Sequence, residues 1–294
     1  MKNLIVNADD LGWTEGVNRG ILDAFRGGIV TSSTLLANGA AFAEAVKAAK
    51  SAPRLALGVH LNLSDGEPVA DRESVISLLN DDACFAGGPE SLLWKRARRG
   101  LILDEVEEEW DAQIQKVSDA GIRPTHLDGH KHVHMLPGFF EIALRLAKKH
   151  GIEAIRVSLE ESSLRAALAS GSQHRAGVVM KQGVQARGLK LLARDARKRA
   201  AHMGIATADY FCGIAQTGEL TLKGVEQLLK NLPEGTTELI CHPGYADEAL
   251  QKSATRLQAS REKELQILTD TRIRNLVASR GIRLIDYGFV TQEA

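Results

Sequence analysis

The sequence predicts an α/β protein, a distorted TIM-like (β/α) barrel of about seven or eight mostly parallel strands. Three observations predict it. Short apolar runs alternate with longer stretches of helical period. Several of the apolar runs end in acids or histidines. The 294 residues suffice for one large barrel domain. The expected strands are Leu4–Ala8, Ser32–Ala37, Ala56–Leu61, Thr125–Asp128, Ala154–Val157, Tyr210–Cys212, Glu238–Cys241 and Arg283–Ile285. Helices are expected between most of them. Glu15–Arg26 carries Val17, Ile21, Leu22 and Phe25 on one face, and Phe42–Lys50, Asp104–Ala120, Phe139–His150, Leu222–Leu229 and Arg261–Ser279 show the same periodicity. Asp104 reads as an N-cap, and Gly121 and Gly151 stand where helices close on glycine.

Two stretches break the alternation. Residues 64–89 are polar and punctuated by Gly and Pro, as in a long loop over the active face. Residues 158–207 form an insertion or lid rich in Arg, Lys and Gly, within a single domain spanning 1–294. Inside it, Leu189, Leu192, Ala193, Ala196 and Ala200 make an apolar stripe opposite Lys190, Arg194, Arg197 and Lys198. This is the pattern of a surface helix, or of a segment (185–202) that meets a membrane surface peripherally.

Composition narrows the class. Lys+Arg and Asp+Glu both number 37, so the formal net charge is zero and nothing global calls for nucleic acid. The three cysteines are odd in number and lack CxxC spacing, which argues against a disulfide framework or a cysteine zinc site. No apolar run is long enough for a signal-peptide core or a membrane span. The expectation is a reduced, cytoplasmic enzyme, with membrane association and a homodimer left open.

The chemistry-bearing residues cluster at strand ends. Asp9-Asp10 closes the first strand. Gly58-Val59-His60-Leu61-Asn62 closes the third. His126-Leu127-Asp128-Gly129-His130-Lys131-His132-Val133-His134 runs off the fourth, and Cys241-His242-Pro243-Gly244 ends the seventh. Catalytic groups of such folds gather at that end. Two adjacent carboxylates oppose each other's ionisation unless a cation lies close. Four of the nine histidines fall within nine residues, and alternation along an extended chain would put every second one on the same side. Imidazole with carboxylate suits Zn²⁺, Fe²⁺ or Co²⁺ and tolerates Mn²⁺ or Ni²⁺. One Asp with two His leaves coordination positions free. A divalent ion lowers the pKa of water from ~16 towards ~7 and polarises a carbonyl, a nearby carboxylate can take a proton, and a distant His can give one.

The segments Asn7-Ala8-Asp9-Asp10-Leu11-Gly12, Gly58-Val59-His60-Leu61, His126 to His134 and Cys241-His242-Pro243-Gly244 resemble those of the YdjC family of carbohydrate deacetylases. The likeness runs over nearly the whole chain. Within that family, the run of sequence and the Arg-rich insertion are most similar to the hopanoid biosynthesis-associated branch. The resemblance implies a distorted barrel and metal-dependent removal of N-acetyl groups from an amino sugar, soluble or carried on a glycolipid. It implies Asp10, His60 and His130 as ligands of one divalent ion, with Zn²⁺ favoured and Mg²⁺, Mn²⁺, Co²⁺ or Ni²⁺ as alternatives. It implies Asp9 as general base and His242 as general acid. Two departures bear on pocket shape: Leu11 stands where an aromatic is usual, and Gly129 where Ser is common.

Other neighbours have open roles. Asp128 can orient His130 or His242. His132 and His134 can contact sugar hydroxyls, or one can replace His130 as a ligand. Asn62 can contact substrate or hold its strand end, and Arg156 can meet a carboxylate or a sugar oxygen. Rival readings are a phosphoesterase or an oxygenase built on the same ligands, and a non-catalytic metal-binding protein.

Overall fold

The computed structural model describes residues 1–85, 87–170, 195–253 and 255–291. Its framework is one sheet of parallel strands: β1 (Lys2–Leu11), β2 (Ser32–Leu35), β3 (Ala56–Leu61), β4 (Leu127–Gly129), β5 (Tyr210–Cys212), β6 (Gly235–Cys241) and β7 (Arg283–Leu284). The order is β4-β3-β2-β1-β6-β5, with β7 on β1. The longest strand, β1, is the axis. Along one edge it pairs with β6 from Lys2↔Gly235 to Ala8↔Cys241. The other edge is shared: β7 takes Asn3 and Leu4, and β2 takes Asn7 onward. Every residue of β1 after Lys2 is buried, as expected of a parallel strand covered on both faces.

The sheet curls towards a barrel, and regular pairing does not close it. Between edge strands β4 and β5 lies residues 154–161, where a strand was expected at Ala154–Val157. Among the described residues, only isolated bridges form there: Leu127↔Ile155, Ala154↔Ala206 and Glu160↔Phe211. The reason is on view. Arg156 in this segment sends its side chain into a cluster of buried carboxylates, and Leu127, Ala206 and Phe211 bridge to the segment from different directions.

The helices are α1 (Glu15–Gly27), α2 (Phe42–Lys50), α3 (Pro89–Ala97), α4 (Leu103–Asp119), α5 (Phe139–Lys149), α6 (Ser162–Leu168), α7 (195–202), α8 (Leu222–Lys230), α9 (Glu248–Lys252), α10 (Ala259–Thr269), α11 (Thr271–Ser279) and α12 (Tyr287–Val290). Thr14 caps α1 by accepting the Val17 N–H. Gly121 (φ 80) and Gly151 (φ 65) adopt the left-handed conformation just beyond α4 and α5, as their positions foretold. The packing of α4 on α5 includes an edge-to-face contact of Trp110 with Phe139, centroids 5.7 Å apart.

Three expectations need correction. Asp104 does not cap α4; the cap position is Ile102, and Asp104 lies in the first turn, where its charge suits the helix dipole. The single helix expected over Arg261–Ser279 is two. Asp270 leaves helical geometry (ψ 129) and caps α11 through the Arg272 N–H, so periodicity runs through a break that a local cap creates. The 64–89 stretch is largely the expected loop, and it is pinned. Buried Glu109 of α4 accepts the N–H groups of Val69 and Ala70, and Pro89 opens the unforeseen α3. The histidine run does not stay extended: residues 130–135 form a tight 3-10 turn with Lys131 (φ 52) and His132 (φ 58) left-handed. Alternation therefore fails beyond His130.

Residues 171–194 lie outside the described residues, so most of the expected 185–202 stripe does too. Ala196 and Ala200, its described end, are buried in the core. No helix among the described residues is long and apolar enough to cross a membrane.

Helix α1 is held close to the end of β6 by a glycine pair. A Cβ at Gly20 would stand 2.4 Å from Gly244 Cα, closer than van der Waals contact allows. Gly20→Ala is expected to lower stability by about 1–3 kcal/mol through overpacking. Calorimetry should register a Tm several degrees lower; an unchanged Tm would mean that the two backbones are not in contact.

Candidate functional site

The site begins with an irregularity in β1. Ala8 pairs with Ser33 and Leu11 with Leu35, so β1 carries one extra residue there, and Asp10 takes a left-handed φ of 74. In a regular strand, Asp9 and Asp10 would point to opposite faces. The bulge turns both towards one cluster at the C-terminal end of the sheet. A left-handed Asp costs about 1–3 kcal/mol and is the kind of strain found at functional positions.

Each carboxylate has its own guanidinium. Asp9 is gripped at both oxygens by Arg156 (2.7 and 2.8 Å) and also accepts from the Asn7 amide (2.9 Å). Asp10 Oδ2 accepts from Arg261 Nη2 at 2.6 Å. Burial raises both acids, but Arg156 outweighs it at Asp9, and Arg261 with His130 holds Asp10 well below the usual carboxylate range. Both are therefore ionised at neutral pH. The charge problem posed by Asp9-Asp10 is met first by arginines. For Arg156 the sequence left a carboxylate or a sugar oxygen open as partner, and here it meets carboxylates; Arg261 was not singled out, since nothing distinguishes it on its helix in the sequence.

Asp10 Oδ1 faces away from Arg261. It lies 3.0 Å from His130 Nδ1 and 3.4 Å from His60 Nε2, and the two ring nitrogens are 3.3 Å apart. His60 Nδ1 is 2.6 Å from Asp128 Oδ1, which fixes a proton there and turns Nε2 towards Asp10. Nε2 and Asp10 Oδ1 can be bridged by a proton on Nε2 or by a metal ion in its place. Burial lowers the His60 pKa, yet Asp128, Asp10 and Asp9 outweigh burial and push it up to about 10. The field that draws a proton there draws a metal ion equally.

The spacing fits. Donors bonded at ~2.05 Å stand ~3.3 Å apart around a tetrahedral ion and ~2.9 Å apart around an octahedral one. The three observed separations fall across that range. Asp9, His60 and Asp128 form a second group of potential ligands, but the Arg156 guanidinium already sits among its carboxylates. The first group, Asp10, His60 and His130, is the one able to hold an ion.

Surrounding residues brace these three. Asp128 orients His60, not His130 or His242, and its Oδ2 receives Arg156 (2.6 Å) and the Thr34 hydroxyl (3.1 Å). Asp65 Oδ2 lies 3.2 Å from His130 Nε2, and Lys131 holds the same oxygen at 2.5 Å. Asn62 ties down that loop: its amide oxygen accepts the N–H groups of Ser64 and Asp65, and its amide nitrogen donates to Asp65 O. Trp13 leans on the His130 ring at 5.1 Å. His132 is 3.0 Å from the Ser158 hydroxyl, and His134 donates to Arg156 O at 3.1 Å. Neither joins the Asp10 group. Gly129 is required here, because a Cβ would come 2.7 Å from His134 Nδ1. Leu11 is wholly buried in the core.

His242 follows Cys241, which pairs with Ala8, so it stands alongside Asp9 across the ladder. Its backbone N–H donates to Glu264 at 2.6 Å. Burial lowers its pKa, while Glu264, Asp10 and Asp9 pull it back up.

A second layer balances the charge. Arg156 also donates to Glu238 (2.8 Å), whose other oxygen accepts the Tyr287 hydroxyl (2.5 Å). Burial and the charge of Asp9 push Glu238 up to about 7 against Arg156 and Tyr287. Sequence reading missed Asp65, Thr34, Glu238, Glu264 and Arg261. Of these, only Asp65 had a signal, its position just past the His60 strand end.

A family model described as YdjC-like protein matches residues 3–279. A carbohydrate deacetylase of Geobacillus stearothermophilus is 34% identical over 284 residues, covering 96% of each chain. A chitooligosaccharide deacetylase of Klebsiella pneumoniae strain 342 is 32% identical over 286 residues, covering 97% of each. A crystal structure from Enterococcus faecalis V583, provisionally described as a cellobiose-phosphate cleavage protein, superposes with a TM-score of 0.76. It shares 32% identity over 97% of each chain.

Two outcomes follow from this geometry. Asp128→Asn removes the negative charge that orients and polarises His60 and should weaken divalent-ion binding about 10–100-fold in titration calorimetry; unaltered affinity would mean His60 needs no such charged anchor. Glu238 keeps its proton up to about 7, whereas in the unfolded chain it loses it near 4.5. Its contribution to stability therefore declines as pH rises through that window. Glu238→Gln removes the decline, so the Tm of the variant relative to wild type should improve from pH 5 to pH 8; a pH-independent difference would refute the shift.

Proposed function

The chain belongs to the YdjC family, whose model spans nearly all of it, and from that premise we propose that it is a metal-dependent N-deacetylase of an amino sugar. The observation that carries the reading is the meeting of Asp10, His60 and His130 within 3.4 Å of one another, beside the ionised Asp9. The names of the relatives, carbohydrate and chitooligosaccharide deacetylase, supply the substrate class.

A divalent ion in that triad, with zinc favoured by the Asp/His donor set, supplies Lewis acidity: it acidifies water and polarises a carbonyl. The chain's own groups do the rest. Asp9, held ionised by Arg156, takes a proton from the water that adds to the acetamide carbon. Its lowered pKa makes it a weak base. His242, on the other side of Asp9, gives a proton to the amine nitrogen as the C–N bond breaks, leaving acetate and a free amine. Burial keeps His242 mostly neutral at rest, and negative charge developing on the substrate would draw the proton onto it. Asp128, Thr34 and Asp65 keep the two imidazoles aimed.

The finer reading is an amino sugar carried on a hopanoid side chain, supported by the sequence branch and the Arg-rich insertion. Turnover of an N-acetylglucosaminyl hopanoid should exceed that of soluble chitooligosaccharides; faster release of acetate from the soluble sugars would favour the activity of the Klebsiella relative instead. The reaction class is tested by acetate release from N-acetylated substrate. Asp9→Asn should retain the divalent ion and lose turnover by about two to four orders of magnitude. A variant with full turnover, or phosphate release in place of acetate release, would overturn the proposal.

A further inference from the structure

We infer that Arg261 is a positioning residue, which holds Asp10 one-armed so that a single carboxylate oxygen faces the cation site. The inference rests on the metal-dependent reading above.

Asp10 is the only carboxylate of the triad, and its two oxygens do different things. Oδ1 points between His130 Nδ1 and His60 Nε2. Oδ2 is taken by Arg261 Nη2 at 2.6 Å, a charge-assisted bond at the short end of its range. A carboxylate free at both oxygens can chelate an ion and fill a position that water or substrate needs. With Oδ2 engaged, Asp10 can offer only Oδ1.

Arg261 is itself fixed. It is 1% exposed, its Nε donates to Leu257 O, and its carbonyl accepts the Gly244 N–H. One turn on, Glu264 accepts the His242 N–H and lies 3.3 Å from Gly218 N. Arg261 and Glu264 therefore stand on one face of α10 and reach both sides of the site: Asp10 on β1 and the loop carrying His242 after β6. Arg261 Nη1 is buried with no partner among the described residues. Nothing in packing explains burying a guanidinium with an unused donor, since a leucine or methionine would fill the space without that cost. The bond to Asp10 explains it.

Cobalt-substituted protein gives the test, because the visible d–d spectrum of Co²⁺ reports coordination number independently of turnover. Arg261→Met should free Oδ2, so the visible absorbance should fall at least twofold as the ion gains a ligand. kcat should drop tenfold or more while KM stays within about threefold. Arg261→Lys, which can still hold Oδ2, should recover the wild-type spectrum. Should the Met variant not fold, as judged by circular dichroism, Arg261→Leu, which likewise has no donor, replaces it with the same expectation. An Arg261→Met or Arg261→Leu protein with the wild-type spectrum and kcat would overturn the role of Arg261 while leaving the metal site intact. A wild-type protein that takes up no Co²⁺ would overturn both.

Discussion

Asp9 and Asp10 are buried side by side at a strand end, and each is ionised because a separate guanidinium lies against it. Most of the site follows from that arrangement. Arg156 must reach the strand cluster, so residues 154–161 give up regular pairing and the sheet closes only through isolated bridges. Arg261 must reach the other acid, so α10 lies against the end of β6 and draws the His242 loop with it. The bulge in β1 makes both contacts available at once.

Charge is managed in layers outward from this pair. Arg156 alone faces Asp9, Asp128 and Glu238, a deficit of positive charge that no buried cluster tolerates without protons or a cation. Glu238, the outermost, meets part of it by keeping its proton to about pH 7. His60 meets another part on the inner side, where its Nε2 and Asp10 Oδ1 converge. The inner deficit is what suits the triad to a divalent ion.

Much of this was legible in the sequence because it is local. Apolar runs mark β1, β3 and β6, and the groups just past them, Asp10, His60 and His242, lie at the expected end of the sheet. His130 was legible for the same reason. His132 and His134 were not assignable, because two left-handed residues override the alternation that an extended strand would give. Arg261, Glu264 and Asp65 act on residues far away in sequence, and their own neighbourhoods read as ordinary helix or loop. The break at Asp270 and the pinning of the 64–89 loop by Glu109 are likewise tertiary: a cap and a buried carboxylate decide them, and neither leaves a periodic trace.

The central claim is that one cation sits among Asp10, His60 and His130. Crystals grown with Zn²⁺ and measured at the zinc edge test it most directly. The account predicts one strong anomalous peak about 2.0–2.1 Å from Asp10 Oδ1, His60 Nε2 and His130 Nδ1, with at least one further position open to solvent. A peak centred instead among Asp9, Asp128 and Arg156, or no ordered zinc near β1 at all, would contradict it.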